Sequence, residues 1–126
     1  MVRTPVRSAR QFRRLRHNAR VEKTSPRPAF AKFSDFYPFY LSQHSDRTCR
    51  RLHFAGTSLG LAALATAFIT LNFWWILAGI VAGYAFAWVG HYFFEKNRPA
   101  TFTHPFYSFV GDWVMWSEIL AGRIKL

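Results

Sequence analysis

Two long apolar runs dominate the middle of the chain. Residues 54–71 and 73–90 contain eighteen residues each and no charged side chain, and Asn72 separates them. At about 1.5 Å rise per residue, each run forms a helix of roughly 27 Å, close to the ~30 Å hydrocarbon core of a bilayer. One helix through both runs would be far too long for a single crossing. The pattern therefore predicts two membrane spans, about 54–71 and 73–94, joined as a hairpin at Asn72.

Small residues recur at helical spacing within both runs, and each run contains a G-x-x-x-G motif. The first run has Gly56, Gly60, Ala63 and Ala67, and the second has Gly79, Gly83, Ala87 and Gly90. Small side chains at this spacing let two helix backbones approach closely in lipid. We predict that the two helices pack along these residues, with the aromatic residues 73–75 at the far membrane interface.

The segments on either side of the apolar runs mix aromatic and polar residues. Residues 33–53 predict a short helix broken near Pro38, followed by a helix capped at Ser45 or Asp46. Residues 105–120 show helical periodicity, but two acidic residues make them too polar for a third span. The sequence therefore predicts an all-α fold, an integral membrane hairpin with flanking interfacial or re-entrant helices.

Positive charge is concentrated at the N-terminus. Residues 1–32 carry ten of the seventeen Lys and Arg residues and a single acid, Glu22. We predict that they form a disordered basic tail outside a membrane domain of residues 33–126, with a nucleic-acid-binding arm or a transit peptide as alternatives. Because positive segments stay on the cytoplasmic side of a membrane, both termini are expected there.

Four of the five histidines flank the apolar runs. A hairpin returns the chain to the side from which it left, so His53 and His91 should face each other at one interface, and His44 and His104 should lie on the same side. Imidazole binds zinc, copper, nickel and iron, so the pattern predicts either a non-haem Fe(II) centre or a catalytic zinc. Glu95, four residues after His91 on the same predicted helical face, is a further candidate ligand.

Other residue types narrow the chemistry further. The basic residues Arg50, Arg51, Lys96 and Arg98 lie at the same interface, either as ordinary cytoplasmic-side charge or as binding groups for a substrate carboxylate or phosphate. The single cysteine, Cys49, excludes an internal disulfide and a Cys-rich zinc site. The G-x-S-x-G, P-loop, Rossmann and H-E-x-x-H patterns are missing from the sequence, so the common soluble enzyme classes have no support.

Three stretches of the chain carry a family signature: FYPFYLSQHSDRTCRRLHFAGT, WVGHYFFEKNRPATFTHP and GDWVMWSEILAGR. Together they resemble the Mpo1-like family over roughly residues 33–123. The resemblance implies an Fe(II)-dependent membrane dioxygenase that uses O₂ to remove one carbon from 2-hydroxy fatty acids, the reaction of fatty acid α-oxidation. It also implies that His44, His53 and His91 are iron ligands or their immediate neighbours, with His104 as the fourth.

The chain is similar to a shorter, bacterial branch of this family. The fungal type tends to place an asparagine between the first two histidines, where this chain has Arg47, Thr48 and Cys49. We therefore expect an integral protein of the bacterial inner membrane that acts on a 2-hydroxy fatty acid and O₂ and binds no specific nucleic acid. The alternative is a non-catalytic membrane hairpin whose histidines have a structural metal or an oligomerisation role.

Overall fold

The computed structural model describes residues 29–126, so most of the predicted basic tail lies outside the described residues. Within this range the chain is helical and has no strand, which confirms the all-α prediction. Its elements are four α-helices, α1 (Phe33–Ser42), α2 (Arg47–Thr70), α3 (Trp74–Val89) and α4 (Pro105–Leu120), a π-helical turn (Gly90–Glu95) and a 3-10 turn (Ala100–Phe102).

The predicted hairpin is formed by α2 and α3. Two continuous helical segments, Arg47–Thr70 and Trp74–Glu95, are long and apolar enough to cross a membrane. Leu71 ends α2 with a left-handed backbone (φ 53°), and the side-chain oxygen of Asn72 accepts a hydrogen bond of 3.2 Å from the Trp74 N–H. The turn therefore lies at the predicted place.

The first span begins earlier than its apolar run. Asp46 is the N-cap of α2, and its carboxylate accepts a hydrogen bond of 2.9 Å from the Cys49 N–H. This bond satisfies one of the backbone donors that a helix start leaves free. As a result, Arg47 to His53 belong to the same helix as the apolar residues, and about two mostly polar helical turns extend the hairpin at its open end.

The two spanning helices pack along the glycine seam, which consists of Gly56, Gly60, Gly79 and Gly83. A Cβ atom on Gly79 would lie only 2.9 Å from the Cβ of Ala63, and one on Gly56 would lie 3.1 Å from the Gly83 carbonyl oxygen. The backbones approach so closely that side chains at these two positions would collide. The predicted packing surface is confirmed.

Helices α1 and α4 cover the open end of the hairpin. The side chains of Phe36 and Tyr40 on α1 and of Met115 on α4 are buried, and a Cβ on Gly111 would lie 3.0 Å from the Tyr40 ring. The prediction that Pro38 breaks α1 is wrong, because the helix continues through it to Ser42. A proline there removes one backbone hydrogen bond, and the burial of Phe36 and Tyr40 holds the helix in place.

Large apolar side chains cover the outside of the spanning helices. Ile69 is 82% exposed and Trp74 is 75% exposed. Contiguous exposed apolar surface of this kind is unusual on a soluble monomer and suits contact with lipid. That α4 is an interfacial or re-entrant helix stays a prediction.

Candidate metal centre

Three histidines meet at the open end of the hairpin and form what we call the histidine cluster: His44, His53 and His91. The ring centroids are 4.4 Å apart for His44 and His53, 4.6 Å for His44 and His91, and 5.0 Å for His53 and His91. All three side chains are buried. The predicted meeting of His53 and His91 is thus confirmed.

Antiparallel helix geometry explains why these two histidines meet. Gly90 packs directly on Cys49, so His91 lies beside the start of α2. His53 lies one turn further along α2, toward the hairpin turn. Every side chain of a helix leans toward the N-terminus of its own helix. His53 therefore leans toward the open end and His91 leans into the hairpin, which brings both rings to the same level.

Each of the three rings is held by its Nδ1 atom. This atom lies 2.7 Å from the Tyr40 carbonyl oxygen in His44, 3.0 Å from Asp112 Oδ1 in His53, and 2.7 Å from Asn97 Oδ1 in His91. All three partners are acceptors, so each Nδ1 carries the hydrogen and donates it. In a neutral ring with this tautomer, the Nε2 atom carries a free lone pair.

Two of these Nε2 atoms face each other. His44 Nε2 and His53 Nε2 are only 3.2 Å apart. Two acceptors at this distance repel unless a proton or a cation lies with them. Neutral imidazoles whose second nitrogen is already hydrogen-bonded are the usual form of histidine metal ligands. The donor set therefore fits a divalent transition-metal ion.

Cys49 adds a fourth candidate ligand that the sequence analysis missed. The cysteine and the three histidines each offer one ligand atom, and these four atoms lie within 4.8 Å of one another. Cys49 itself is a free, fully buried thiol. A signal for it was available, because Cys49 precedes His53 by four residues and so shares its helical face.

The π-helical turn positions both His91 and its hydrogen-bond partner. Lys96 ends the turn with a left-handed backbone (φ 55°), and the Asn97 N–H donates 3.1 Å back to the His91 carbonyl oxygen. The Asn97 side-chain nitrogen donates to the Gln43 carbonyl oxygen at 3.1 Å, which turns its oxygen toward His91. The sequence predicted a regular helix here, and no residue pattern signalled the wider turn.

Glu95 is absent from the group of close ligand atoms, so its role as a further ligand stays a prediction. The Glu95 carboxylate instead accepts hydrogen bonds from the backbone N–H groups of Ser45 (3.0 Å) and Asp46 (2.6 Å). It ties the loop that carries His44 to the end of the second span.

His104 is also absent from the group of close ligand atoms. It precedes α4, its Nδ1 lies 2.9 Å from the Thr103 hydroxyl oxygen, and its ring centroid lies 5.3 Å from that of Phe36. Its role as a fourth ligand stays a prediction, which this placement does not favour.

The four basic residues that the sequence suggested for substrate binding differ in their surroundings. Arg50 donates to the carbonyl oxygens of His44 (3.0 Å), Ser45 (2.6 Å) and Lys125 (3.1 Å), so its guanidinium fixes the loop around the cluster. Arg98 lies 4.8 Å from the centroid of the Phe102 ring. Arg51, Lys96 and Arg98 are exposed. The role of these residues in substrate binding stays a prediction.

Two tyrosine–carboxylate pairs join α1 to α4. The Tyr40 hydroxyl donates to Asp112 Oδ1, the same atom that faces His53, and the Tyr37 hydroxyl donates to Glu118 at 2.5 Å. Burial raises the pKa of Tyr40 well above its ordinary value, and the charge of Asp112 adds to the effect. Tyr40 thus stays protonated and supports Asp112, a contact that no sequence pattern predicts.

Burial also acts on His44. It lowers the pKa of this imidazole well below its ordinary value, and the neighbouring His53 ring lowers it further. A neutral ring is the form that binds a metal ion. The protein environment therefore favours the ligating form of His44.

A cavity of about 260 Å³ adjoins the histidine cluster. It begins at His53, His91 and Asp112 and continues along the hairpin between α2 and α3. Mostly small and apolar residues line the rest of it, with two threonines: Gly56, Thr57, Gly60, Leu64, Ile76, Gly79, Ile80, Gly83, Tyr84, Ala87, Trp88, Pro99, Thr101, Phe109 and Trp113. The structure thus places an apolar space of ligand size against a candidate metal site.

Fold and site together define the class: a small helical protein with two segments fit to span a membrane and a buried histidine cluster able to hold a metal ion. The chain belongs to the Mpo1-like family, described as 2-hydroxy-palmitic acid dioxygenase Mpo1-like, which matches residues 30–124. This confirms the family that the sequence motifs indicated. No curated protein and no solved structure matches the chain.

Proposed function

We propose that this protein is an Fe(II)-dependent membrane dioxygenase that shortens 2-hydroxy fatty acids by one carbon. The family description names a dioxygenase of 2-hydroxy-palmitic acid. The observation that carries the proposal is the histidine cluster, in which three Nδ1–H groups are bound to acceptors and the Nε2 atoms are left for a metal.

In this proposal His44, His53 and His91 hold the ferrous ion through Nε2. Bound Fe(II) supplies the one-electron and O₂ chemistry that protein side chains lack. Asp112 and Asn97 fix the tautomer and the orientation of the rings to which they are bound. Such outer hydrogen bonds raise the basicity of an imidazole ligand and are worth about 10–100-fold in metal affinity.

The other side chains at this end bind and orient the substrate. A 2-hydroxy acid places its carboxylate and hydroxyl at the polar end of the cavity, beside His53, His91 and Asp112. The exposed cations Arg51, Lys96 and Arg98 attract the carboxylate to this membrane interface. The apolar walls exclude water from the reacting end of the chain.

The test is anaerobic loading of the purified protein with Fe(II), followed by measurement of oxygen uptake and of the shortened acid with 2-hydroxypalmitate. We expect His44→Ala, His53→Ala and His91→Ala to lose bound iron and turnover together, because each removes a ligand. Tyr92→Ala is the matched control, since Tyr92 adjoins His91 in the chain but is 52% exposed. Turnover that persists without any of the three histidines would contradict the proposal.

A structural metal site is the second candidate function. The cluster joins three separate segments, namely the loop before α2, α2 itself and the π-helical turn, so a bound ion would hold them together whatever its chemistry. Metal-dependent thermal stabilisation without oxygen uptake, for every 2-hydroxy acid tried, would favour this candidate over the dioxygenase.

A further inference from the structure

We propose that the cavity beside the histidine cluster holds the acyl chain of the substrate, and that the absence of side chains at Gly60 and Gly83 sets the chain length it accepts. The inference rests on the proposed function for the identity of the head group. It adds the location of the chain and the residues that limit its length.

The polarity of the cavity walls matches a single-chain amphiphile. One end is formed by the imidazoles of His53 and His91 and the carboxylate of Asp112, and the remaining wall is mostly small or apolar. A ligand with one polar end and a hydrocarbon tail would bury no polar group of its own in the apolar part of the cavity, so it would pay no desolvation cost there. A volume of about 260 Å³ is slightly below the usual range of ligand pockets, which favours one acyl chain over a two-chain lipid.

The residues that line the cavity span about three turns of α2. Leu64 lies eleven residues beyond His53 on α2, which corresponds to about 16 Å along the helix. Ile76, at the start of α3, lines the same deep end. A chain whose head group lies at the histidine cluster therefore points toward the hairpin turn.

The side of the cavity is open to the surroundings of the hairpin. Three of its wall residues, Leu64, Ile80 and Trp88, are 37%, 51% and 41% exposed. In a membrane these side chains face lipid, so an acyl chain can enter sideways from the bilayer without crossing water.

The four seam glycines divide into two pairs. A Cβ on Gly56 or Gly79 would press on the opposite helix at 3.0 or 2.9 Å, so these two permit helix packing. A Cβ on Gly60 or Gly83 would meet only one carbonyl oxygen, at 3.7 Å, which is an ordinary contact. Packing therefore does not require glycine at Gly60 and Gly83, and both line the cavity.

The first test fills the cavity at Gly60. In the iron-loaded protein, Gly60→Leu should lower kcat/KM for 2-hydroxypalmitate about ten-fold or more, since several methylenes lose their site, and leave 2-hydroxyoctanoate nearly unchanged. Ala62→Leu is the matched control, because Ala62 is exposed on the same helix and does not line the cavity. The milder Gly60→Ala should give a smaller shift in the same direction if the leucine variant folds poorly. Equal loss for both acids would overturn the assignment.

The second test does not depend on turnover. A 2-hydroxy fatty acid with a diazirine at its terminal carbon is photolysed with the protein in detergent, with and without Fe(II). We expect adducts at Leu64 and Ile76, lost in Gly60→Leu and kept in Ala62→Leu. These adducts without turnover would reject the proposed dioxygenase and retain the acyl site.

Two results of the photolabelling would overturn the inference. One is labelling spread over outward residues such as Phe68 and Ile69 and unchanged by Gly60→Leu. The other is equal labelling of Leu64 and Ile76 by a phospholipid that carries the same diazirine, which would show that the cavity does not select a single-chain acid.

Discussion

Asp112 is the residue through which α4 acts on the histidine cluster. Its Oδ1 atom lies 3.0 Å from His53 Nδ1 and also accepts the Tyr40 hydroxyl. Glu118 makes a similar bond to Tyr37, two turns further along α4, and contacts no histidine of the cluster. The two carboxylates form a natural pair for comparison, because only one of them supports a candidate ligand.

Asp112→Asn should weaken metal binding about 10–100-fold, since the amide is a poorer acceptor for the His53 Nδ1–H than the carboxylate. Competition with a chromophoric chelator measures the affinity. Glu118→Gln, the matched control, loses one tyrosine–carboxylate bond and should retain wild-type affinity. An equal decrease in both variants would show that the lower metal affinity comes from weaker contact between α1 and α4, and not from the lost support of His53.

Among single residues, the sequence predicted that His53 and His91 meet, but not what supports them. The hairpin argument placed His53 and His91 together because it needs only the apolar runs and the turn. Asp112 lies 59 residues after His53 in the chain, and helical periodicity does not determine how α4 docks on α2. Its contact with the cluster therefore depends on tertiary packing that no local pattern records.

Among the elements, the π-helical turn is the one with the largest effect on the site. It begins at Gly90, where a Cβ would lie 3.1 Å from Cys49 Sγ and 3.3 Å from Cys49 Cα. The close approach of α2 to this turn brings His91 to the cluster. The two spans could be predicted from the length of the uncharged runs, and their packing surface from the spacing of small residues. The π-helical turn could not, because it is stabilised by contacts of Glu95 and Asn97 with a loop that is distant in the sequence.

Gly90→Ala should destabilise the folded protein by about 1–3 kcal/mol, the usual cost of overpacking, and should lower metal affinity as His91 moves. Denaturant titration in micelles gives the free energy of unfolding. Gly83→Ala serves as the control, because its Cβ would meet only an oxygen at 3.7 Å.

The double variant Gly90→Ala, Cys49→Ala should recover part of the stability, because it removes the sulfur atom from the contact and leaves the Cα. If the single variant is as stable as the wild type, the helices can separate at Gly90 without cost, and the close approach is not needed for the fold.

For the molecule as a whole, the hairpin places the histidine cluster at one end and the aromatic turn at the other. We propose that the cluster end, with its excess of Arg and Lys, faces the cytoplasm of a bacterial inner membrane. This topology is the part of the sequence prediction that depends on the membrane itself, and the contacts within the protein do not determine it.

In a Cys49→Ala background, Phe73→Cys should react with an impermeant maleimide on intact cells, and Lys125→Cys should react only after lysis. Phe73 lies at the turn and is 59% exposed, and Lys125 is exposed near the cluster end. Labelling of both positions from the same side would contradict a membrane-crossing hairpin, and reversed accessibility would contradict the proposed orientation alone.

Because the cavity opens sideways, the ligand concentration that determines binding is the concentration in the bilayer and not the concentration in water. For a ligand that arrives from the bilayer, the rate of encounter with the protein depends on the mole fraction of the ligand among the lipids. Its solubility in water no longer sets that rate. Dilution with inert phospholipid, at fixed total amounts of protein and acid, should then slow the reaction as surface-dilution kinetics require. The bilayer would act as the solvent of the reaction as well as the support of the enzyme.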